Sequence, residues 1–381
     1  MANHRDLRMD PQFSQADTMA DQSPPGLPAP RGPGNKADPD FPVKDWDRYE
    51  FLGFLGQGGM GTVFLARDRK LGREVALKFV RIENDRHLER FMVEARAQAR
   101  VDHEHVCKVF EVGEVEGKVF ITMQRIAGAS LDAAAAELSL EQKVIVLRDA
   151  AKGVHEAHRV GIIHRDLKPS NIMVEKTEDG FLRAYVMDFG LAREWDQDVT
   201  ETGSVLGTPT YMSPEQARGE ALQLDRRTDI YSLGATLYHV LTGRPPVLGS
   251  NALEIISAIP SAEVPRMRGP LLDIPKDLEA IAFKCLEKAK SRRYDSAKSL
   301  ADDLQRFLEG EPVLARPTGL WYRIQRRVRR HKQLAAVGAV ALVVVLLALG
   351  TAIRTRRNAS ERERLAQRFT ESMARIEATG R

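Results

Sequence analysis

The chain has 381 residues, 43% of them hydrophobic and 29% charged, a length that gives a soft expectation of two or three units of domain size and enough apolar mass for a packed core. This composition excludes a chain disordered throughout, a collagen-like fibre and a disulfide-stapled miniprotein. The two cysteines, Cys107 and Cys285, are far apart in sequence and read as unpaired thiols in a reducing compartment. The net charge of +4 is local: "RPTGLWYRIQRRVRRHK" at 316–332 contains no acid, and without it the chain is close to neutral. No nucleic-acid partner is therefore expected.

Residues 1–48 are rich in Pro, Gly, Asp and Gln and show no apolar periodicity, which predicts a disordered tail; a proline-rich docking ligand is the alternative. No apolar run follows the first Met, so no secretory signal peptide is expected. From Tyr49 short strand patterns alternate with glycines, "YEFLGFLG", "GTVFLARD" and "REVALKFV". A helical stretch, "HLERFMVEARAQARV", follows, with apolar residues at three- and four-residue spacing, and then two more strand patterns, "VCKVFEVGEVEG" and "KVFITMQRI". Beyond Leu131 the chain reads mostly helical, as in "SLEQKVIVLRDAAKGVHEAHRV" and "RTDIYSLGATLYHVLTG". A β-rich front and a helical back predict an α+β architecture of two lobes with a cleft between them, over residues 49–308.

A basic linker at 309–333 leads to "LAAVGAVALVVVLLALGTAI" at 334–353, an uncharged apolar run. A helix of about 20 residues spans about 30 Å, the thickness of a bilayer core, so this run predicts a single transmembrane helix. Arginines crowd both of its ends, and Trp321 and Tyr322 precede it as in an interfacial belt. An association helix in a soluble protein is the alternative. The small residues Ala335, Ala339, Ala348 and Ala352 permit helix pairing in lipid, hence a homodimer as an expectation. Residues 354–381 read as a charged helical tail with Leu365, Phe369, Met373 and Ile376 on one stripe.

Chemistry concentrates in four motifs. "GQGGMG" places Gly56, Gly58 and Gly61 as G-x-G-x-x-G, where backbone N–H groups can approach phosphates without side-chain clash. A dinucleotide-binding turn uses the same spacing, but a helix must follow it, and here the strand pattern "TVFLARD" follows. "VALK" puts Lys78 on a later strand of the same lobe, and Glu94 on the helical stretch is an available carboxylate partner. A lysine on a strand is by itself an ordinary edge residue; the glycine loop upstream is what makes it a phosphate ligand candidate. "HRDLKPSN" supplies Asp166, able to accept a hydroxyl proton, and Asn171, able to hold a metal, while "MDFG" adds Asp188 as a second oxygen ligand for a hard cation such as Mg²⁺.

Taken in order, these motifs resemble the protein kinase superfamily, and specifically the bacterial Hanks-type, eukaryotic-like serine/threonine kinases. The resemblance implies the bilobal kinase fold and an ATP- and Mg²⁺-dependent transfer of phosphoryl groups to Ser and Thr of protein substrates. It implies ATP contacts from Leu55, Gly56, Gln57, Gly58, Gly59, Met60, Gly61, Thr62 and Val63, with Lys78 on the α/β-phosphates and paired to Glu94, and Met123 at the back of the adenine pocket. Asp166 becomes the catalytic base, Lys168 lies near the γ-phosphate, and Asn171 and Asp188 become the Mg²⁺ ligands. Lys168 and "GTPTYMSPE" imply serine/threonine rather than tyrosine specificity, with Thr208 lining the substrate site. Glu215 is expected to pair with Arg293, and Asp229 to anchor the loop that carries Asp166. Arg165 is a partner for a phosphate on the following segment, where Thr200, Thr202 and Ser204 lie, and Thr200 or Thr202 is the expected autophosphorylation site. The chain departs from the pattern at Gln124 and Arg125, in "KAKSRRY" and in "HEHV"; none of these removes a catalytic group. The expectation is a single-pass kinase of the inner membrane with its catalytic domain in the cytosol, where ATP is. A catalytically silent membrane scaffold is the rival.

Overall fold

The computed structural model describes residues 40–58, 61–81, 85–189, 209–267 and 274–316, with backbone alone for 85–90. The first lobe comprises strands β1 (Tyr49–Gly58), β2 (Gly61–Asp68) and β3 (Arg73–Val80), helix α1 (Asp85–Gln98) and the hairpin of β4 (Val109–Val115) and β5 (Lys118–Gln124). The strands form one antiparallel sheet in the order β1-β2-β3-β5-β4. The two-residue period of β3 divides its side chains between two apolar layers. Val75, Leu77 and Phe79 join Tyr49, Phe64 and Phe120 on one face. Ala76 joins Phe91 and Ala95 of α1, with Ile121 and Met123, on the other. Lys78 shares the parity of Ala76, so strand geometry alone turns it away from the aromatic layer.

Residues 40–48, assigned by composition to a disordered tail, instead lie on the aromatic face of this sheet. Phe41 packs 5.3 Å from Phe64 between ring centroids, Trp46 lies 4.9 Å from both Tyr49 and Phe120, and Val43 is buried. "FPVKDW" has no period of its own and finds its apolar partners only on a sheet formed by residues downstream. Residues 1–39 lie outside the described residues.

The second lobe is built from β6 (Gly128–Ser130), α2 (Leu131–Ala134), α3 (Leu140–Arg159), β7 (Ile172–Lys176), β8 (Leu182–Val186), α4 (Pro214–Ala217), α5 (Arg226–Thr242), α6 (Ala252–Ala258), α7 (Lys276–Cys285) and α8 (Ala297–Leu308). Ser139 opens α3 with a reciprocal capping box to Gln142, satisfying two orphan groups of the first turn. Helix α5 is buried on nearly every side, with Thr228, Asp229, Ser232 and Thr236 buried among its apolar residues. The small sheet β6-β7-β8 is the one regular feature absent from a mostly helical reading of this half, because strands of three to five residues are too short to show alternation. The bilobal α+β architecture is as expected.

The lobes are joined where the segment before β4 runs over α3 and β8. The Val186 N–H donates to the His105 carbonyl at 2.9 Å and the Cys107 N–H donates to the Val186 carbonyl at 3.0 Å. Gly153 of α3 makes this crossing possible, since a Cβ there would stand 2.5 Å from the His105 oxygen. At the other end the packed chain continues past 309, where the basic linker was expected to begin. The Asp303 carboxylate accepts from the N–H groups of Leu314 at 2.6 Å and Ala315 at 2.8 Å, and Val313 is fully buried. Among the described residues no helix is long and apolar enough to cross a membrane; the run at 334–353 and the tail at 354–381 lie outside them.

Beneath α4 and α5 lies the ion pair expected of Glu215 and Arg293. It is bidentate, at 2.7 and 2.9 Å, with both side chains fully buried, and the Thr228 hydroxyl donates to the same carboxylate at 3.0 Å. Burial opposes the charge on Glu215, but the Arg293 hydrogen bonds and charge outweigh it and hold the carboxyl below its ordinary value of 4.5. A carboxyl depressed on folding stabilises fully above its unfolded value and loses that contribution as pH falls through its folded one.

Two outcomes follow from this packing. Trp46→Ala removes the ring from the aromatic layer and lowers the unfolding midpoint by about 4–8 °C, equivalent to about 2 kcal/mol; an unchanged midpoint contradicts the packing role. Glu215→Gln leaves the Arg293 charge uncompensated in the core and costs about 3–5 kcal/mol at neutral pH. In denaturation series against pH, the gap between wild type and Glu215→Gln stays constant above pH 4.5 and narrows below it, as Glu215 itself takes up a proton.

Candidate active site

The cleft between the lobes gathers the sequence motifs. Its roof is the hairpin of β1 and β2, in which Gly56 faces Val63, Gln57 faces Thr62 and Gly58 faces Gly61. Gly61 has φ +146°, and a Cβ there would come within 1.9 Å of the Phe79 carbonyl oxygen, so no other residue fits where β2 meets β3. Leu55 is exposed at the entrance. Gly59 and Met60, at the tip, lie outside the described residues.

Lys78 sits on β3 opposite Val63 and Ile121, and its side chain is 7% exposed. Its Nζ donates to Asp188 Oδ2 at 2.8 Å, joining the first lobe to the second across the cleft. Burial opposes the charge on Asp188, but Lys78 holds this carboxyl below its ordinary value. Glu94 is half-buried on α1, the helix that covers the same face of the sheet. Met123 is buried opposite Ala76 in the apolar layer that also contains Cys107, whose thiol burial pushes up to about 12. Gln124 and Arg125 follow, and Arg125 pairs with Glu74 outside the cleft.

The floor is the loop 164–171. The Asp166 carboxylate accepts from Lys168 Nζ at 2.7 Å and from Asn171 Nδ2 at 3.2 Å, while the same amide nitrogen donates to the Asp166 carbonyl at 2.8 Å. These bonds commit the nitrogen end of Asn171 to Asp166 and turn its amide oxygen away. An ionised Asp188 and an amide oxygen from Asn171 make an oxygen donor pair, the chemistry a hard divalent cation takes when it also binds substrate phosphates.

The loop is shaped from beneath by Asp229 of α5. Its carboxylate accepts from the backbone N–H of His164 and of Arg165, each at 2.8 Å, and contacts the His158 ring at 2.7 Å. Burial opposes the charge on Asp229, but His158 and these donors outweigh it and hold the carboxyl below its ordinary value. The loop needs such a clamp, because Arg165 adopts a left-handed φ of 65°, which costs a non-glycine residue about 1–2 kcal/mol; Asp188, on the facing segment, is left-handed too, at 52°. The His164 ring spans the gap between them, 2.7 Å from the Met187 carbonyl and 4.7 Å from the buried Phe189 ring.

Two positioning residues escaped the motif reading. His158 precedes the loop on α3 and looks in sequence like one of several helical histidines. Gln216 donates from Nε2 to the Arg165 carbonyl at 2.9 Å while its Oε1 accepts from the Ser213 N–H at 3.0 Å. Its signal was present in "SPEQ", the S-x-x-Q spacing of a capping box. Thr200, Thr202, Ser204 and Thr208 lie outside the described residues.

Comparison with known proteins places this geometry. The family model "Protein kinase domain" matches residues 49–304. The serine/threonine-protein kinase PknB of Mycobacterium leprae is 38% identical over 282 residues, covering 70% of this chain and 44% of its own. The probable serine/threonine-protein kinase PknB of Bifidobacterium longum is 36% identical over 297 residues, with 70% and 41% covered. The chain thus spans less than half the length of these curated relatives. Among solved structures, the kinase domain of Mycobacterium tuberculosis PknI superposes with a TM-score of 0.54 at 25% identity, covering 68% of this chain and 96% of that one. With a matched domain over most of its length and a cleft built of that domain's motifs, the chain belongs to the protein kinase family, alongside bacterial serine/threonine kinases of the PknB type.

Proposed function

We propose that this chain is a serine/threonine protein kinase that transfers the γ-phosphoryl group of ATP to protein hydroxyls and is held at the membrane by one span. The observation that carries the reading is the cluster of Asp166, Lys168 and Asn171 on one clamped loop, in a cleft bridged by the Lys78–Asp188 pair. In this reading the glycine hairpin covers the phosphates of ATP, Lys78 holds its α/β-phosphates with Glu94 behind it, and Met123 backs the adenine. Asp166 accepts the hydroxyl proton of the substrate. Lys168, beside it, steadies the charge on the transferred group. Asn171 and Asp188 hold Mg²⁺, which neutralises phosphate charge when bound. Phosphoryl transfer asks little covalent chemistry of the protein, so alignment and charge supply most of the rate.

Specificity for Ser and Thr, rather than Tyr, rests on Lys168 and on the likeness to serine/threonine kinases. Thr200 or Thr202 is the proposed autophosphorylation site, with Arg165 as its phosphate partner. The proposed organisation has the catalytic domain start at residue 49, although residues 40–48 pack against it, and has the apolar run 334–353 cross the bilayer with the kinase in the cytosol. Basic residues flank both ends of that run, so access to ATP decides the orientation.

The test is transfer of labelled γ-phosphate with Mg²⁺ in wild type and in Asp166→Asn. Wild type labels Ser and Thr, with Thr200 or Thr202 among its own labelled residues. Asp166→Asn binds nucleotide normally and loses about 10²–10⁴-fold in rate, the range of a general base. Equal rates in both proteins contradict the role of Asp166, and nucleotide binding without transfer in either indicates a scaffold.

A further inference from the structure

An open cavity of about 460 Å³ lies between α7 and the last packed residues of the domain, away from the motifs of the cleft. Arg266, Lys276, Lys284, Arg292 and Arg316 line it against only Glu279 and Glu287, and Phe283 contributes an apolar wall. Two of the cations are paired: Arg266 lies 4.0 Å from Glu279, which also accepts from the Met267 N–H at 3.2 Å, and Arg316 lies 3.4 Å from Asp277, which does not line the cavity. Lys276 and Arg292 are exposed, and Lys284 rests 4.3 Å from the Tyr294 ring. The cavity is therefore a concave surface with excess positive charge, matched to anionic oxygens.

Its position supplies a second observation. Ala315 and Arg316 line the cavity, so the described chain ends at its rim, next to Leu314, which is 61% exposed. Residues 317–333 then run, with basic residues and no acid, to the apolar stretch that begins at 334. That tether reaches about 25 Å as a helix and about 55 Å fully extended. The face at the root of this tether is the part of the domain attached nearest to the bilayer.

We propose that this cavity docks the domain on the membrane by binding the phosphates of anionic lipid headgroups, an inference that rests on the membrane span proposed above. Charge alone also admits a free phosphate or a phosphorylated peptide. The tether favours lipid, because it holds headgroups at high effective concentration against this one face. Each basic side chain near an anionic bilayer surface contributes a factor of about five, screened by salt. Docking here fixes the orientation of the catalytic cleft relative to the membrane and so the substrates within its reach.

The experiment places the full chain in nanodiscs of phosphatidylcholine alone or mixed with phosphatidylglycerol and follows acylation of Lys276 by an amine-reactive probe, with Lys70 of the first lobe as internal reference. The expected result is Lys276 labelling slowed about fivefold or more on the anionic discs, with Lys70 unchanged. High salt abolishes the protection and Arg292→Glu weakens it. Equal labelling on the two discs, with the chain co-migrating with both, overturns the docking and leaves the span standing. Equal protection on neutral discs supplied with sodium phosphate or a phosphopeptide overturns the lipid assignment. A chain that migrates apart from the discs overturns the span and the docking together.

Discussion

The Asp229 carboxylate, fully buried within α5, accepts from the backbone N–H groups of His164 and Arg165 and touches the His158 ring, and on this arrangement the geometry of the cleft depends. An ionised carboxylate taken out of water costs several kcal/mol unless donors surround it. Here the donors are the backbone of the catalytic loop itself, so satisfying the charge and shaping the loop are one event. The clamp also explains how Arg165 persists at a left-handed φ, a conformation that survives only where its surroundings over-determine it. From that fixed point the short internal bonds of Asp166, Lys168 and Asn171 set the reacting groups.

The opposite wall is fixed by simpler rules. Strand alternation on β3 gives Val75, Leu77 and Phe79 to the aromatic layer and turns Lys78 to the other face, where it reaches Asp188. The stretch of chain at 40–48 closes the outer face of the same sheet, so the strand that carries Lys78 is packed on both sides. In the second lobe, the Glu215–Arg293 pair secures the start of α4 to the turn before α8, and Gln216, the next residue, holds the Arg165 carbonyl. The supports of the catalytic loop thus come from α3 and α5, which share one core, and from α4, whose Ala217 packs on the smaller cluster of Val247, Ile255 and Ile259.

Much of this was legible in the sequence, for identifiable reasons. The strands of the first lobe showed as short apolar patterns between glycines, and α3 as a long helical run. The catalytic set was carried by short motifs, within each of which neighbours in the chain are neighbours in space. What escaped depended on distant partners. Phe41 and Trp46 have no signature until the sheet exists for them to cover. The strands β6, β7 and β8 are too brief for alternation to register. His158 and Gln216 act on the loop from other elements, and the packing of Val313 against the core was hidden by the basic stretch that follows it.

The most direct test of the account is steady-state phosphoryl transfer by Asp229→Asn, alongside its ATP affinity and its unfolding midpoint. An amide can accept only through its one oxygen, so the two backbone donors of the loop can no longer both be met as they are now. The expected outcome is a folded protein with ATP affinity within a few-fold of wild type and a kcat lower by about 10²-fold, the cost of a misplaced catalytic group. A folded Asp229→Asn protein with wild-type kcat would show that the loop holds its geometry without this carboxylate and would contradict the central claim.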